Sequence, residues 1–143
     1  MKINDVLRGK GNEVVTISPE ATVTELLALL AEHNIGAVVV SPDGSSVAGI
    51  VSERDIVRMV AESGAASLEC RIETCMTRDV IFATPGETVD SLLGRMTDRR
   101  VRHLPVVRDG RLAGIISIGD LVKWKISEIE AEADGLKQYI AAV

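Results

Sequence analysis

The amino-acid sequence predicts a mixed α/β (α+β) fold in which two copies of a β-α-β-β-α unit pack about a pseudo-twofold axis. The first supporting observation is an internal repeat: with residues 14–57 laid over residues 80–122 and one gap, about fifteen of roughly forty positions are identical. The second is an alternation of short apolar runs and helical stripes inside each copy. Neither half alone is large enough to bury a comfortable core, so the sheets of the two copies are expected to pack on each other.

Each copy is predicted to open with a strand and a helix. The strands are short apolar runs that end at a Ser-Pro or Thr-Pro pair, at Val14–Ile17 and Val80–Ala83. Helices follow, because apolar residues recur every three or four positions: Val23, Leu26, Leu27 and Leu30 in the first copy, and Val89, Leu92, Leu93 and Met96 in the second. Thr22, with Glu25 three residues later, forms a capping box that starts the first of these helices.

Two more strands and a second helix complete each copy. The strands are predicted as pairs joined by the turn dipeptides Asp43-Gly44 and Asp109-Gly110: Ile35–Val40 with Val47–Val51, and Val101–Val107 with Leu112–Ile116. Pro105 lacks a backbone donor, which predicts an edge strand or a strand start at that position. The second helices are predicted to begin after Ser52 and after Ser117.

The small, polar stretch 62–67 is the expected linker, which predicts a first domain at residues 1–68 and a second domain with a C-terminal helix at residues 69–143. That helix is predicted to run from Asp120 to Tyr139, with a kink or break at Gly135. Apolar residues form one stripe along it: Ile126, Ile129, Ala133, Leu136 and Ile140. Two interpretations of the stripe stay open, packing back on its own domain or a homodimer contact.

Composition and charge limit the classes of function. The net charge of −5 disfavours binding to nucleic acid, whose phosphate backbone an acidic surface repels. Cys70 and Cys75 lack the spacing and the partners of a zinc site, so they are expected to be reduced thiols. No apolar run reaches the length of a membrane span, and the N-terminus lacks a signal-peptide core. A cytoplasmic protein without a membrane partner is therefore expected.

The residues whose side chains are best suited to bind a ligand lie at the bend between the last strand and the second helix of each copy. They are Ser52 with Asp55, and Ser117 with Asp120. A hydroxyl at a helix N-terminus can donate to a phosphate oxygen, and a carboxylate one turn on can accept hydrogen bonds from a ribose diol. Because Ser-x-x-Asp is also a helix-capping pattern, the alternative is that these residues only cap a helix.

The order of these motifs resembles a known family. Each copy contains Gly-apolar-apolar-Ser-x-x-Asp, the second copy has Arg-His-Leu-Pro-Val-Val at residues 102–107, and Cys75-Met76-Thr77 precedes that copy. Together they resemble the CBS domain, which is named after cystathionine β-synthase and usually occurs in tandem. The resemblance covers nearly the whole chain, from residue 5 to residue 126. It implies a Bateman module with two ligand clefts between the paired sheets.

The resemblance also implies a ligand class and a set of site residues. Clefts of this kind commonly take AMP, ADP or ATP, with NAD or S-adenosylmethionine as further possibilities, and no catalytic cofactor is expected. By position, Asp55 and Asp120 would hold the ribose, while Ser52 and Ser117 would hold phosphate. The other implied residues are the apolar walls Ile50 and Ile115, the phosphate-facing Arg102 and His103, and the residues that close each cleft from the opposite copy, namely Thr16, Ile17, Ser18 and Thr84.

The two copies differ at one position of this set. Where the second copy has Arg102 and His103, the first has Gly36 and Ala37, which supply no cation. Arg54, in the first bend, could compensate for this loss. Two inequivalent sites are therefore predicted, with a slight preference for the cleft that holds Asp120.

The leading hypothesis is a regulatory module whose bound adenine nucleotide shifts a two-state packing that an effector protein detects. A purely structural homodimerisation module with degenerate clefts is the alternative. An enzyme is the least favoured class, because the sequence contains no Walker loop, no convincing catalytic triad and no HExxH motif.

Overall fold

The computed structural model describes residues 1–11 and 14–142. The chain begins with helix α1 (Ile3–Lys10), and the elements of the first copy follow: β1 (Thr16–Ile17), α2 (Val23–His33), β2 (Ala37–Val40), β3 (Gly49–Ser52) and α3 (Glu53–Ser63). Two short 3₁₀ turns, Ala65–Glu69 and Ile72–Thr74, lead to the second copy. Its elements are α4 (Val89–Arg99), β4 (His103–Arg108), β5 (Arg111–Ser117) and the long helix α5 (Ile118–Ala142). The predicted α/β class and its repeated order of elements are confirmed.

Each copy builds a small sheet. The first sheet has the order β1-β2-β3, with β1 parallel to β2 and β2 antiparallel to β3. The second is the antiparallel pair β4–β5, beside which Ala83 makes an isolated parallel bridge with Val106. The prediction of a strand at Val80–Ala83 is therefore wrong except at this bridge.

Pro105 explains why the second copy keeps only a bridge. The Ala83 N–H donates to the Pro105 carbonyl at 2.9 Å, and the Val107 N–H donates to the Ala83 carbonyl at 3.0 Å. Because the nitrogen and the carbonyl of one strand residue point to the same side, the missing donor of Pro105 also faces this segment. The predicted strand start is wrong, since Pro105 is the third residue of β4. The predicted edge position is confirmed, because β4 is an edge strand of the two-stranded sheet and only the isolated bridge at Ala83 lies on its other side.

The two Asp-Gly dipeptides form different turns. Asp109-Gly110, with φ values of +52° and +76°, is the two-residue hairpin turn between β4 and β5. In the first copy, residues 41–48 separate β2 from β3. There the Asp43 carboxylate accepts hydrogen bonds from the N–H groups of Ser45 and Ser46, at 2.9 and 2.8 Å. The first hairpin is thus a longer loop than predicted, because its carboxylate binds these additional amides.

The two copies exchange the segments that precede them. Ile3 and Val6 of α1 are fully buried in the core of the second copy, whereas Ile72 of the second 3₁₀ turn is fully buried in the core of the first. Equivalent backbone hydrogen bonds hold both segments: the Ile3 N–H donates to the Glu87 carbonyl, and the Ile72 N–H donates to the Ala21 carbonyl, each at 2.8 Å.

This exchange crosses the predicted domain boundary between residues 68 and 69, which stays a prediction. Helix α1 belongs by sequence to residues 1–68 but packs in the core of the second copy, and the turn Ile72–Thr74 belongs to residues 69–143 but packs against the first. The linker composition identified the right neighbourhood, but composition does not reveal which core a short segment joins.

Helix α5 is continuous over its 25 residues, so a break at Gly135 is excluded and the alternative of a kink there stays a prediction. Its first turns pack on the protein, where Leu121 is fully buried and Trp124 is half-buried. The predicted stripe beyond them is exposed, from 51% at Ile126 to 65% at Ile140. Packing of the stripe on its own domain is therefore excluded.

No helix in the described part of the chain has the length and apolarity needed to cross a membrane.

Candidate functional site

The serine and aspartate of each bend cap the helix that follows. The Asp55 carboxylate accepts hydrogen bonds from the N–H and the Oγ of Ser52, both at 3.0 Å, and the Asp55 N–H donates to Ser52 Oγ at 3.3 Å. In the second bend the Ser117 N–H donates to the Asp120 carboxylate at 2.9 Å, and the Asp120 N–H donates to Ser117 Oγ at 3.1 Å. The interpretation as helix caps is correct, and both half-buried carboxylates also lie on the walls of clefts.

The first of these clefts, the Asp55 cleft, has a volume of about 240 Å³. The bend between β3 and α3 forms one wall, and residues 101–103 of the second copy form another. Thr77 closes the cleft from the segment ahead of the second copy, where its backbone exchanges two hydrogen bonds with Ile50, at 2.9 and 3.0 Å. A ligand in this space would contact both copies.

The second cleft, the Asp120 cleft, has a volume of about 380 Å³. The bend between β5 and α5 meets the C-terminal end of α1 here, together with residues 34–37 of the first copy. Apolar side chains cover much of its wall: Leu7, Val14, Val15, Ile35 and Ile115. These aliphatic groups could bury the flat faces of a base without aromatic stacking.

Three residues, Gly36, Ala37 and His103, line both clefts and separate them. A Cβ atom at Gly36 would lie 3.4 Å from Glu53 Oε1 and 3.8 Å from His103 Nε2, so the side chains between the two clefts leave little free space around Gly36. Burial lowers the pKa of His103, and the effects of neighbouring charges do not reverse this shift. The imidazole is therefore neutral at neutral pH.

Lys10, the last residue of α1, pairs with the carboxylate of the Asp120 cleft. Its Nζ lies 2.7 Å from Asp120 Oδ2 and donates to the Ile115 carbonyl at 2.8 Å. Burial acts to raise the pKa of Asp120, but the hydrogen bonds from Lys10 and Ser117 outweigh it and place the pKa below the ordinary aspartate value. Asp120 is therefore ionised and paired within the protein itself.

The Asp55 cleft has a different charge balance. Three arginines, Arg54, Arg58 and Arg102, line it together with the carboxylates of Glu53 and Asp55. Within residues 1–11 and 14–142, none of these five side chains takes part in an ion pair. All three guanidinium groups belong to exposed residues, so they are accessible to an anion.

The structure brings most of the predicted site residues to the two clefts. The Asp55 cleft is lined by Ala37, Ile50, Ser52, Arg54, Asp55, Arg102 and His103. The Asp120 cleft is lined by Ala37, His103, Ile115, Ser117 and Asp120.

Arg102 does not lie where it was predicted. The sequence predicts that Arg102 lies in the same cleft as Asp120. In the structure Arg102 lines the Asp55 cleft, while its neighbour His103 lines both clefts. Successive side chains of an extended segment point in opposite directions, so two adjacent residues need not serve one site. The predicted preference for the Asp120 cleft assumed that it held Arg102, and that premise is wrong.

Four predicted residues, Thr16, Ile17, Ser18 and Thr84, line neither cleft. Ile17 is buried in the first core and pairs with Val40 in the sheet. Ser18 Oγ accepts a hydrogen bond from the Glu20 N–H at 3.3 Å, and the Thr84 N–H donates to Glu87 Oε1 at 3.1 Å. Ile17 thus faces the core, Ser18 and Thr84 serve local turns, and the first copy faces the Asp120 cleft earlier in the chain, at Val14 and Val15.

Sequence reasoning missed other lining residues, and the available signals differ. Arg58 follows Arg54 by four positions on α3, a spacing that places both on one helix face and could have been used. Thr77 belongs to the family pattern that opens the second copy but was not assigned to a site. Lys10 has no such signal, because 110 positions separate it from Asp120.

Nothing in the described residues resembles a metal centre, since they contain no group of three or more His, Cys, Asp or Glu side chains able to hold an ion. Cys70 is exposed, Cys75 is half-buried and both are free. What the clefts offer is binding chemistry: capping hydroxyls, half-buried carboxylates, cations and aliphatic walls.

Comparison with known proteins agrees with this architecture. The family model for the CBS domain matches residues 5–62 and again residues 71–127. The crystal structure of the CBS-domain containing protein ATU1752 from Agrobacterium tumefaciens superposes with a TM-score of 0.84 at 46% identity, covering 87% of this chain and 99% of that one. The CBS domain pair of protein MJ0100, solved in complex with 5′-methylthioadenosine and S-adenosyl-L-methionine, gives a TM-score of 0.79 at 26% identity, covering 90% and 98% of the two chains.

Relatives of known sequence agree as well. The chain is 34% identical over 146 residues to the mitochondrial CBS domain-containing protein CBSX3 of Arabidopsis thaliana, covering 96% of this chain and 71% of the relative. Some curated relatives are considerably longer, and the chain spans 43% of one from Methanocaldococcus jannaschii to which it is 33% identical. With both copies matched by the family model, the chain belongs to the CBS domain family and contains two CBS domains in tandem.

Proposed function

We propose that this chain is a regulatory module that binds an adenine nucleotide, AMP, ADP or ATP, in the clefts between its two CBS domains and has no catalytic activity of its own. NAD and S-adenosylmethionine are the other adenosyl ligands that these clefts could accept. One observation carries the proposal: in both copies, the carboxylate of a helix cap lies on the wall of a cleft to which both copies contribute.

The binding geometry follows from the groups at each bend. Asp55 and Asp120 would accept hydrogen bonds from the two ribose hydroxyls, as acidic residues do in dinucleotide-binding folds. The hydroxyls of Ser52 and Ser117, at helix N-termini, would face phosphate oxygens. Ile50 and Ile115 would pack on the base. The complexes of the MJ0100 domain pair with two adenosyl compounds support this ligand class.

Signalling requires that ligand binding favours one packing of the two copies over another. Each cleft has walls from both copies, so a bound ligand adds contacts across their interface. The exchanged segments also join the copies, because α1 packs in the core of the second and the turn Ile72–Thr74 in the core of the first. An effector protein would detect the resulting shift, and we expect the module to act in the cytoplasm, where its two free cysteines stay reduced.

The test is ligand-induced stabilisation of cleft variants. We expect AMP, ADP or ATP to raise the melting temperature of the wild-type chain, and the combined Asp55→Asn and Asp120→Asn substitutions to abolish this rise. Asparagine can still accept the capping hydrogen bonds, so the helices are retained. The matched control is Glu25→Gln, which alters the capping box of α2 outside both clefts and should leave the ligand effect intact. Flat curves for wild type with AMP, ADP, ATP, NAD and S-adenosylmethionine would refute the proposal.

A second function, homodimerisation, is favoured by the exposed stripe on α5. Five large apolar side chains between Ile126 and Ile140 are each more than half exposed on this helix: Ile126, Ile129, Leu136, Tyr139 and Ile140. An apolar surface of this kind is typical of a contact between proteins. A second copy of the chain is the partner we propose, and the two functions are compatible.

A further inference from the structure

We infer that the two clefts select adenosine ligands by charge: the Asp55 cleft takes a phosphorylated adenosine, and the Asp120 cleft takes an adenosine compound without phosphate. This inference rests on the proposed function and narrows it, because it assigns a different ligand class to each cleft and leaves Ser117, unlike Ser52, without a phosphate to face.

The charges that line the Asp55 cleft favour an anion. Arg54, Arg58 and Arg102 outnumber Glu53 and Asp55, so the described lining has a net positive charge. Within the described residues, these guanidinium groups take part in no ion pair. They therefore remain available for the bidentate hydrogen bonds that arginine makes to phosphate. The N-terminus of α3, which begins after Ser52, adds the positive end of a helix dipole.

The Asp120 cleft lacks an unpaired cation among its described residues. Its only described charged side chains are Lys10 and Asp120, and they neutralise each other at 2.7 Å. The second hydrogen bond of Lys10, to the Ile115 carbonyl, holds its ammonium group at the bend. His103 is neutral, because burial lowers its pKa. A phosphate entering here would find two of the three N–H donors of Lys10 already bound, and the Asp120 carboxylate beside them would repel it.

The apolar lining of the Asp120 cleft also favours an uncharged ligand. The Asp120 cleft is the larger of the two, at about 380 Å³ against about 240 Å³, and aliphatic side chains from both copies line it. A ligand that fills this cleft is therefore held mainly by apolar burial. An uncharged nucleoside or thioether-substituted adenosine matches such a surface better than a nucleoside phosphate does.

The experiment uses the full-length chain with two probes, AMP and 5′-methylthioadenosine, measured by isothermal titration calorimetry. We expect the loss of AMP affinity to be at least about tenfold larger for Asp55→Asn than for Asp120→Asn. For 5′-methylthioadenosine the order should reverse. Raising the salt concentration should weaken AMP binding and leave 5′-methylthioadenosine binding nearly unchanged, because only the first ligand relies on exposed cations.

A second variant tests the cation directly without altering a helix cap. Arg102→Gln removes an exposed charge from the Asp55 cleft and should weaken AMP by about fivefold or more while affecting 5′-methylthioadenosine less. Larger losses of AMP affinity from Asp120→Asn than from Asp55→Asn would overturn the assignment and leave the proposed function standing. Equal losses of both ligands in each aspartate variant would overturn it in the same way, whereas wild type that binds neither probe nor any other adenosine compound would overturn both.

Discussion

Asp55 and Asp120 occupy equivalent helix positions, yet their surroundings make them different groups. Both cap a helix from the same residue of the first turn. Only Asp120 meets a lysine, because α1 ends beside the second bend and not beside the first. The duplication therefore preserved the local geometry of the two bends, while the neighbours that came from elsewhere in the chain diverged.

The ion pair of Lys10 and Asp120 predicts a pH-dependent loss of stability in Lys10→Gln. The pair is partly exposed, so we expect this variant to lose about 1 kcal/mol of unfolding free energy at pH 7, the upper end for such pairs. Because the pKa of Asp120 lies below its ordinary value in the folded state, the stabilisation is complete above the unfolded pKa of about 3.9 and disappears as the pH falls through the folded pKa. Urea denaturation at pH 7 and pH 3 measures the difference.

The control for this prediction is Lys125→Gln. Lys125 also pairs with a carboxylate, that of Asp90 at 3.0 Å, but this carboxylate is 71% exposed and the pair should contribute less. A gap between wild type and Lys10→Gln that stays constant from pH 7 to pH 3 would contradict the role assigned to Asp120.

At the scale of elements, α5 combines two parts with different roles. Its first turns belong to the second core through Leu121 and to the α1 contact through Trp124. A Cβ atom at Gly9 would lie 2.6 Å from the Trp124 ring, so glycine allows α1 and α5 to approach this closely. The later turns carry the exposed stripe, which cannot contribute to the core. An apolar pattern with helical spacing identifies such a stripe, but it does not reveal what the stripe contacts.

The division of α5 predicts the effect of truncation. Removing residues 131–143 should change the unfolding free energy of the monomer by less than about 1 kcal/mol, since residues 131–141 are all exposed and exposed residues contribute little to stability. The same truncation should convert a dimer into a monomer, as measured by sedimentation velocity at matched concentrations. Identical sedimentation of the full-length and truncated chains as dimers would place the homodimer contact elsewhere, and wild type that sediments as a monomer would refute the homodimer.

At the scale of the whole molecule, the exchange of leading segments makes the two copies dependent on each other. The second core includes Ile3 and Val6, and the first includes Ile72, all of them fully buried. A cut between residues 68 and 69 would remove these groups from the cores they fill. Loss of a large buried aliphatic side chain typically costs about 2–5 kcal/mol, which is comparable to the total stability of a small domain.

We therefore expect neither residues 1–68 nor residues 69–143 to fold alone, whereas an equimolar mixture should recover helical circular dichroism and a cooperative thermal transition. A cooperative transition in either isolated half would show that the exchanged segments are dispensable. A full-length chain cleaved at an inserted protease site in the linker provides the control, because it contains both halves already assembled.

Much of this fold was predictable from local and repeated patterns. Helix caps such as Thr22 with Glu25 depend on neighbours three residues apart, and the helices and most strands depend on apolar periodicity over ten or so positions. One error came from a distant partner, because Pro105 reduces the strand predicted at Val80–Ala83 to a bridge at Ala83. The other was local, because the Asp43 carboxylate accepts hydrogen bonds from the N–H groups of Ser45 and Ser46 and so lengthens the predicted hairpin turn into a loop.

Local and repeated residue patterns were enough to predict the duplication, the α/β class and the capping role of the two serine–aspartate pairs, because these features do not depend on contacts between distant segments. Long-range packing brings Lys10 to Asp120, Arg102 to the cleft of Asp55, and α1 to the core of the second copy although the first copy follows it directly in the chain. Those outcomes depend on which side chains long-range packing brings together, and a Coulomb interaction acts over a few ångströms in space whatever the separation in sequence.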